Sequence, residues 1–250
     1  MTEKIELKIN GLSVTADSGM TILDAALRKG IYIPHLCHHR QLEPIGACRL
    51  CLVEIQGEWK KTVISCKTLV KEGMVVLTET PEIQKIRQIN VELIVADHDT
   101  DCLNCFQNTK CALQRVADHV GMDKKRLDRL KKPDKLLPID DSNPFFTFNP
   151  NRCVLCGICV RTCDEIQNIQ AIDFVHRGLG TKVAGFGDRP RLESNCESCG
   201  ECIVRCPVGA LTAVWSWASG IINWSAPGEI WAIKRAKADF VSRAALVINL

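Results

Sequence analysis

Cys153-Val154-Leu155-Cys156-Gly157-Ile158-Cys159-Val160-Arg161-Thr162-Cys163 and Cys196-Glu197-Ser198-Cys199-Gly200-Glu201-Cys202-Ile203-Val204-Arg205-Cys206-Pro207 repeat one spacing, Cys-x2-Cys-x2-Cys-x3-Cys. Three thiols at three-residue spacing converge only if the backbone wraps round a central body, and a four-iron cubane has the right size. In paired runs of this kind the fourth cysteine of each ligates the other cluster. The spacing therefore predicts one [4Fe-4S] cluster on Cys153, Cys156, Cys159 and Cys206 and a second on Cys163, Cys196, Cys199 and Cys202. Zinc also takes Cys-x2-Cys pairs, but its tetrahedral site uses four ligands and would leave the third thiol of each run idle. Disulfides account for the pattern less well than zinc. Gly157 and Gly200 stand between the second and third ligands, where the backbone must turn tightly and its N–H groups can point at sulfur.

The remaining cysteines fall in separate groups along a chain of 250 residues, which points to several small domains rather than one large one. Fifteen cysteines would suit a disulfide framework in a secreted protein, yet Met1-Thr2-Glu3-Lys4-Ile5-Glu6 shows no basic n-region, apolar h-region or twin arginine. The expectation is a chain kept in the reducing cytoplasm, where dense cysteine means metal or redox chemistry. The odd count requires one site to borrow a ligand of another type. The formal charge of +3 treats every thiol as neutral; ligating thiolates and oxidised clusters would bring the loaded protein to roughly −4. A basic pI therefore gives no support to a nucleic-acid partner.

From the amino terminus, Ile5 to Ile9 alternate apolar and charged, Asn10-Gly11 makes a hairpin turn and Leu12 to Thr15 form a second strand. Thr21-Ile22-Leu23-Asp24 has capping-box spacing before a helix that Gly30 stops. Leu52 to Ile55, Thr62 to Ser65 and Val75 to Thr78 are further strands, so the element order is that of a β-grasp over 1–79. Its cysteines, Cys37, Cys48, Cys51 and Cys66, suit one rigid loop round a [2Fe-2S] rhomb, with a spacing unlike the plant-type run. This pattern resembles the amino-terminal domain shared by the large peripheral subunit of respiratory complex I, the small diaphorase subunit of NAD-reducing hydrogenases, iron-only hydrogenases and NAD-dependent formate dehydrogenase alpha subunits. Since four cysteines satisfy the site, His35, His38 and His39 read as surface or supporting residues rather than Rieske-type ligands.

Thr80-Pro81-Glu82 opens a helix whose face of Ile83, Ile86, Asn90, Leu93 and Ile94 is mostly apolar out to Asp97. It leads to His98-x3-Cys102-x2-Cys105-x5-Cys111. Three thiols, no fourth nearby and an odd total make His98 the borrowed ligand of a third [4Fe-4S] cluster, in a small helical domain over 80–122; the spacing also resembles the one-histidine, three-cysteine motif of the same family. Fifteen thiols and His98 then fill every position of one [2Fe-2S] and three [4Fe-4S] clusters.

The basic run within 123–144, punctuated by Pro133, Pro138 and Pro144, reads as a solvated linker, and Phe145, Phe146 and Phe148 as its anchor on a bacterial-type 2[4Fe-4S] ferredoxin domain over 145–212. The glycine-rich stretch from Arg177 to Pro190 reads as a hairpin-like excursion. Val208 to Trp224 is uncharged but barely reaches the minimum length of a membrane span and begins beside a cluster ligand, so it reads as a buried or interface segment; four of the five tryptophans fall in 213–250, a tail suited to docking a partner subunit.

The whole therefore reads as α+β, with no catalytic residue set: no glycine-rich nucleotide loop after a strand and no Ser-His-Asp constellation. The resemblance, over roughly residues 1 to 212, implies the iron-sulfur electron-relay subunit of a multisubunit NAD(P)-linked oxidoreductase. It would pass single electrons between a flavoprotein subunit carrying FMN and the nicotinamide site and a further redox or catalytic subunit. Hydrogenase, formate dehydrogenase and electron-bifurcating assemblies all fit, and complex I fits less well because of the tandem ferredoxin unit and the short chain. A minimal catalytic chain would need ligands the sequence does not have to spare, and a structural zinc protein would be colourless.

Overall fold

Asn10 and Gly11, at φ 51° and 80°, make the left-handed pair a tight two-residue hairpin requires, joining β1 (Lys4–Ile9) to β2 (Leu12–Asp17). The structure, a computed structural model, describes residues 4–57, 62–131 and 136–214. They divide into two units: the described residues of 4–136 with Asn151–Cys156 and Pro207–Gly209, and Leu137–Pro150 with Gly157–Cys206 and 210–214.

In the first unit the chain continues through α1 (Ile22–Arg28), β3 (Leu52–Ile55), β4 (Thr62–Ile64) and β5 (Val75–Leu77). The strands form one mixed sheet in the order β2-β1-β5-β3-β4, parallel only between β1 and β5. The Thr21 hydroxyl accepts from the Asp24 backbone N–H at 3.1 Å, the cap the spacing called for, worth about 1 kcal/mol. α1 lays Ile22, Leu23, Ala25 and Ala26 on a core with Ile9, Ile33, Val53 and Val76. Each fully buried aliphatic side chain there contributes about 1.5–3 kcal/mol, and the thiols of Cys51 and Cys66 belong to the same core. The cysteine-bearing loop is thus anchored on the buried core of the unit.

The next helices are α2 (Pro81–Ala96), α3 (Ala112–Val120) and α4 (Lys124–Leu130). Thr80 caps α2 and Pro81 opens it, as expected. Its buried face differs from the expected one: Ile83, Arg87, Val91, Glu92 and Val95 are buried, while Leu93 is half exposed. Two charges enter the buried stripe because each finds partners there. Glu92 accepts from the Asp123 backbone N–H at 2.7 Å and pairs with Arg126. Through that pair, part of the basic stretch expected as linker becomes α4, packed on α2 and capped by Asp123.

The second unit holds β6 (Phe146–Phe148), α5 (Ile158–Arg161), β7 (Asp173–Val175), β8 (Lys182–Ala184), α6 (Glu201–Arg205) and β9 (Leu211–Ala213). β6 pairs antiparallel with β9, burying Phe146 and Phe148 beside Leu211 and closing the ends of the repeat on each other. β7 and β8 pair antiparallel, so the hairpin begins before the Arg177–Pro190 stretch expected to form it, and only its second strand falls inside that stretch. Residues 132–135 and 215–250, and with them the tryptophan-rich tail and part of the basic run, lie outside the described residues. Among the described residues no helix is long and apolar enough to cross a membrane.

Candidate metal centres

None of the fifteen cysteines forms a disulfide. In the first unit Cys37, Cys51 and Cys66 are almost fully buried, and the Cys37 and Cys48 sulfurs stand 3.4 Å apart. Two thiolates on one tetrahedral metal with bonds of about 2.3 Å lie roughly 3.8 Å apart, so this pair fits a shared iron. Cys51 and Cys66 form a second pair through a side-chain hydrogen bond, and Cys37 acts electrostatically on both. Two pairs of thiols in one neighbourhood suit a binuclear centre.

The crowding has an electrostatic signature. The hydrogen bond with Cys37, and then burial, hold the Cys48 thiol far above the usual range; Cys51 and burial do the same to Cys66. The hydrogen bond from Cys66 in turn brings Cys51 down to about 7. Without cationic metal these sulfurs resist becoming thiolates together.

Arg87, which the sequence reading placed on no site, secures this loop. Its Nε donates to the Leu50 carbonyl at 2.9 Å and Nη2 to the Leu52 carbonyl at 2.7 Å, on either side of Cys51, and Nη1 reaches Glu79 at 2.9 Å. A guanidinium one helical turn beyond Ile83 on the buried stripe was the signal that could have found it. The nearby histidines are engaged with protein groups: Nε2 of His38 lies 3.1 Å from Asp24, Nδ1 of His35 2.7 Å from the Ile33 carbonyl, and Nδ1 of His39 accepts from the Gln41 N–H.

α2 ends at Ala96, and His98 follows two residues on, ahead in sequence of the loop that carries Cys102, Cys105 and Cys111. His98 Nδ1 is buried and makes no hydrogen bond, and burial holds the ring pKa below its ordinary value, favouring the neutral, ligand-competent imidazole. Burial likewise pushes up the Cys111 thiol, on which the charges of Cys105 and Cys102 also act. A buried imidazole nitrogen without a hydrogen-bond partner, four residues before Cys102, is compatible with the expected ligand set. Arg152, directly before Cys153, pairs with Asp99 at 3.0 Å, directly after His98, and the Asp99 N–H donates to the Asn151 carbonyl. Cys153 and Cys156 belong to this first unit.

In the second unit Cys163, Cys196, Cys199 and Cys202 line one cavity, together with Phe146, Thr162 and Arg191. The four thiols surround this space from a short π-turn over Thr162–Ile166, from the 196–200 loop and from α6. Gly157 and Gly200 adopt the left-handed conformation expected of them, at φ 69° and 80°, and so do Leu155 and Ser198 at φ 52° and 53°, two positions on in each copy from the first cysteine. A non-glycine residue held there costs of order 1 kcal/mol; the strain turns N–H groups inward, as with Leu155 N–H on the Cys153 sulfur at 3.4 Å. The Ala171 N–H donates to the Cys163 sulfur at 3.3 Å. Burial pushes the Cys199 and Cys202 thiols up, Cys202 well above the ordinary value. Among the described residues no three donors converge as a single ion requires, whereas four thiols round a cavity suit a polynuclear body.

These features define an α+β iron-sulfur protein with 2Fe-2S and 4Fe-4S cluster-binding domains. Residues 2–81 match the family model of a 2Fe-2S iron-sulfur cluster binding domain, 87–126 that of the NADH-ubiquinone oxidoreductase-G iron-sulfur binding region, and 152–210 that of a 4Fe-4S dicluster domain. A chain in the crystal structure of an NAD+-reducing [NiFe]-hydrogenase in the H2-reduced state superposes with a TM-score of 0.73 at 30% identity, over 88% of this chain and 90% of that one. The alpha subunit of the NADPH-Fe(3+) oxidoreductase of Geobacter sulfurreducens is 37% identical over 83% of this chain and 24% of its own length. The NADH-ubiquinone oxidoreductase 75 kDa subunit of Reclinomonas americana is 34% identical over 84% and 29%. The chain belongs to the iron-sulfur protein family that includes that hydrogenase chain and the matching region of the 75 kDa subunit. It spans less than a third of the length of these curated relatives.

Proposed function

We propose that the chain is an electron-relay subunit of a multisubunit NAD(P)-linked oxidoreductase. The observation that carries this reading is that His98 and all fifteen cysteines fall inside the three stretches matched to cluster-binding families. The proposed ligand sets are Cys37, Cys48, Cys51 and Cys66 for one [2Fe-2S] cluster in a β-grasp domain, and His98, Cys102, Cys105 and Cys111 for a [4Fe-4S] cluster in the helical domain. Two more [4Fe-4S] clusters take Cys153, Cys156, Cys159 and Cys206, and Cys163, Cys196, Cys199 and Cys202.

When bound, such clusters supply one-electron outer-sphere transfer. The residues of the chain bury the sulfurs, point N–H groups at them and hold neighbouring sites in register. The ion pair between Asp99 and Arg152 supports a direct hand-over, because it fixes the residue after His98 to the residue before Cys153. The nicotinamide-linked names of the relatives, NADH-ubiquinone oxidoreductase, NADPH-Fe(3+) oxidoreductase and NAD+-reducing hydrogenase, favour a flavoprotein carrying FMN and the NAD(P) site as one partner and a further redox or catalytic subunit as the other.

Iron and acid-labile sulfide measured on anaerobically purified protein test the ligand sets, with EPR of the dithionite-reduced sample. About fourteen irons with both slow- and fast-relaxing signals are expected from one binuclear and three tetranuclear sites. Four or fewer metal ions, as colourless zinc, would overturn the reading.

A further inference from the structure

Arg191 is 1% exposed, yet none of its three side-chain nitrogens makes a hydrogen bond. Its guanidinium lies over the Phe148 ring, 3.9 Å from the centroid, and Nη1 is 3.6 Å from Asp140 Oδ2, beyond hydrogen-bonding reach. That same Asp140 oxygen accepts the Arg191 backbone N–H at 2.9 Å. The Thr162 hydroxyl is also fully buried and unpartnered. Both residues line the cavity ringed by Cys163, Cys196, Cys199 and Cys202. A buried guanidinium with unused N–H groups is among the costliest arrangements a fold can hold, unless an acceptor occupies the space it faces. Four thiolates and the bridging sulfides of a cubane are acceptors and carry net negative charge.

We propose that Arg191 and Thr162 donate hydrogen bonds to the sulfurs of the cluster held by Cys163, Cys196, Cys199 and Cys202, and that Arg191 makes it the higher-potential member of the pair. The inference rests on the ligand set proposed above. The two halves of the repeat differ in the way this requires. Thr162, directly before the fourth cysteine of the first run, corresponds to Arg205 directly before the fourth cysteine of the second. Arg205 is turned onto its own helix, pairing with the Glu201 carboxylate and donating to the Glu201 carbonyl at 3.2 Å. Arg191 differs: Asp140, the carboxylate paired with it, lies beyond hydrogen-bonding reach, and among the described residues the guanidinium N–H groups have no acceptor. Hydrogen bonds to sulfur and nearby positive charge both stabilise the reduced, more negative cluster and raise its potential. An electron entering this unit would then rest on the Arg191 side.

EPR-monitored redox titration of the full chain tests the assignment, with iron content measured on each sample. In Arg191→Met, which keeps the volume and removes charge and donors, one tetranuclear signal should shift to lower potential while the binuclear signal stays in place. Arg191→Lys should keep most of the native potential, and Thr162→Val should shift the same signal downward by less. In the native protein, ENDOR on the reduced cluster should show strongly coupled protons that exchange in D2O, one of which is lost in Thr162→Val. That measurement needs no Arg191 variant to load. Full iron content with unmoved potentials in Arg191→Met, or no exchangeable proton coupling removed by Thr162→Val, would overturn the inference and leave the cluster assignment standing. Native protein without tetranuclear signals would overturn the cluster assignment itself.

Discussion

Cys105 and Gly209 approach so closely that a methyl group on Gly209 would stand 2.3 Å from the Cys105 sulfur. Real carbon and sulfur atoms do not share that distance, so one of them must give way in a Gly209→Ala chain. A free thiol would rotate aside at little cost. A thiolate fixed to iron cannot, because its direction is set by the metal. Gly209→Ala should therefore lose about four irons and the signal of the His98 cluster, with the [2Fe-2S] signal retained. Iron analysis with EPR checks this; an unchanged iron count would show that Cys105 is not held by a cluster.

Arg87→Met should weaken the [2Fe-2S] site without touching a thiol. The two hydrogen bonds from the guanidinium to the carbonyls of Leu50 and Leu52 hold the backbone on both sides of Cys51. Losing both leaves two carbonyls without their charged donor and costs about 3 kcal/mol. The expected result is a lower Tm and faster loss of the binuclear EPR signal under air, with the tetranuclear signals less affected. Equal stability of loop and fold in this variant would mean that water replaces the guanidinium.

How far the sequence could be read follows from which forces act locally. The Asn10-Gly11 turn, the Thr21 and Thr80 caps, the two glycines after the second cysteine of each run and the cysteine groups were all legible, because each is set by a few neighbouring residues. Arg87 and Glu92 were not. They enter a buried helix face only because Leu50, Leu52, Arg126 and Asp123, far away in sequence, supply partners. The same pairing turns part of an apparent linker into α4. Gly209 and Arg191 stayed hidden for a related reason: one matters for the space it leaves beside Cys105, the other for bonds it does not make.

His98→Cys, if it loads iron, should lower the potential of its cluster. Replacing neutral imidazole by thiolate adds one negative charge to the centre and disfavours the reduced form; a related exchange in Rieske centres acts in the same sense. Nδ1 of His98 is buried and has no hydrogen-bond partner among the described residues, which leaves its lone pair available to a metal. A redox titration showing no shift or an upward one would count against ligation by His98. His98→Ala should instead lose the cluster.

Removing iron should make the fold sensitive to alkali. In the metal-free protein, hydrogen bonding and burial raise the thiol pKa values of Cys48 and Cys66, and burial those of Cys111, Cys199 and Cys202, above the ordinary 9.0. The folded chain then keeps protons that the unfolded chain releases once pH passes about 9. Since the unfolded state binds fewer protons there, the contribution of these thiols falls as pH rises through that range and is fully present below it; Cys51, lowered to about 7, contributes in the opposite sense, losing its part as pH falls from about 9 to about 7 and staying constant above. Iron reverses the sign, because ligation already demands thiolates and competes with protons at low pH instead. Chelator-stripped protein should therefore lose Tm between about pH 8.5 and 10 while the loaded protein does not. Loading iron at neutral pH in weak buffer should release protons. Parallel pH-dependent melting curves of the two forms, under strictly anaerobic reducing conditions, measure the difference; identical alkaline behaviour would mean that these thiols do not meet one another in solution.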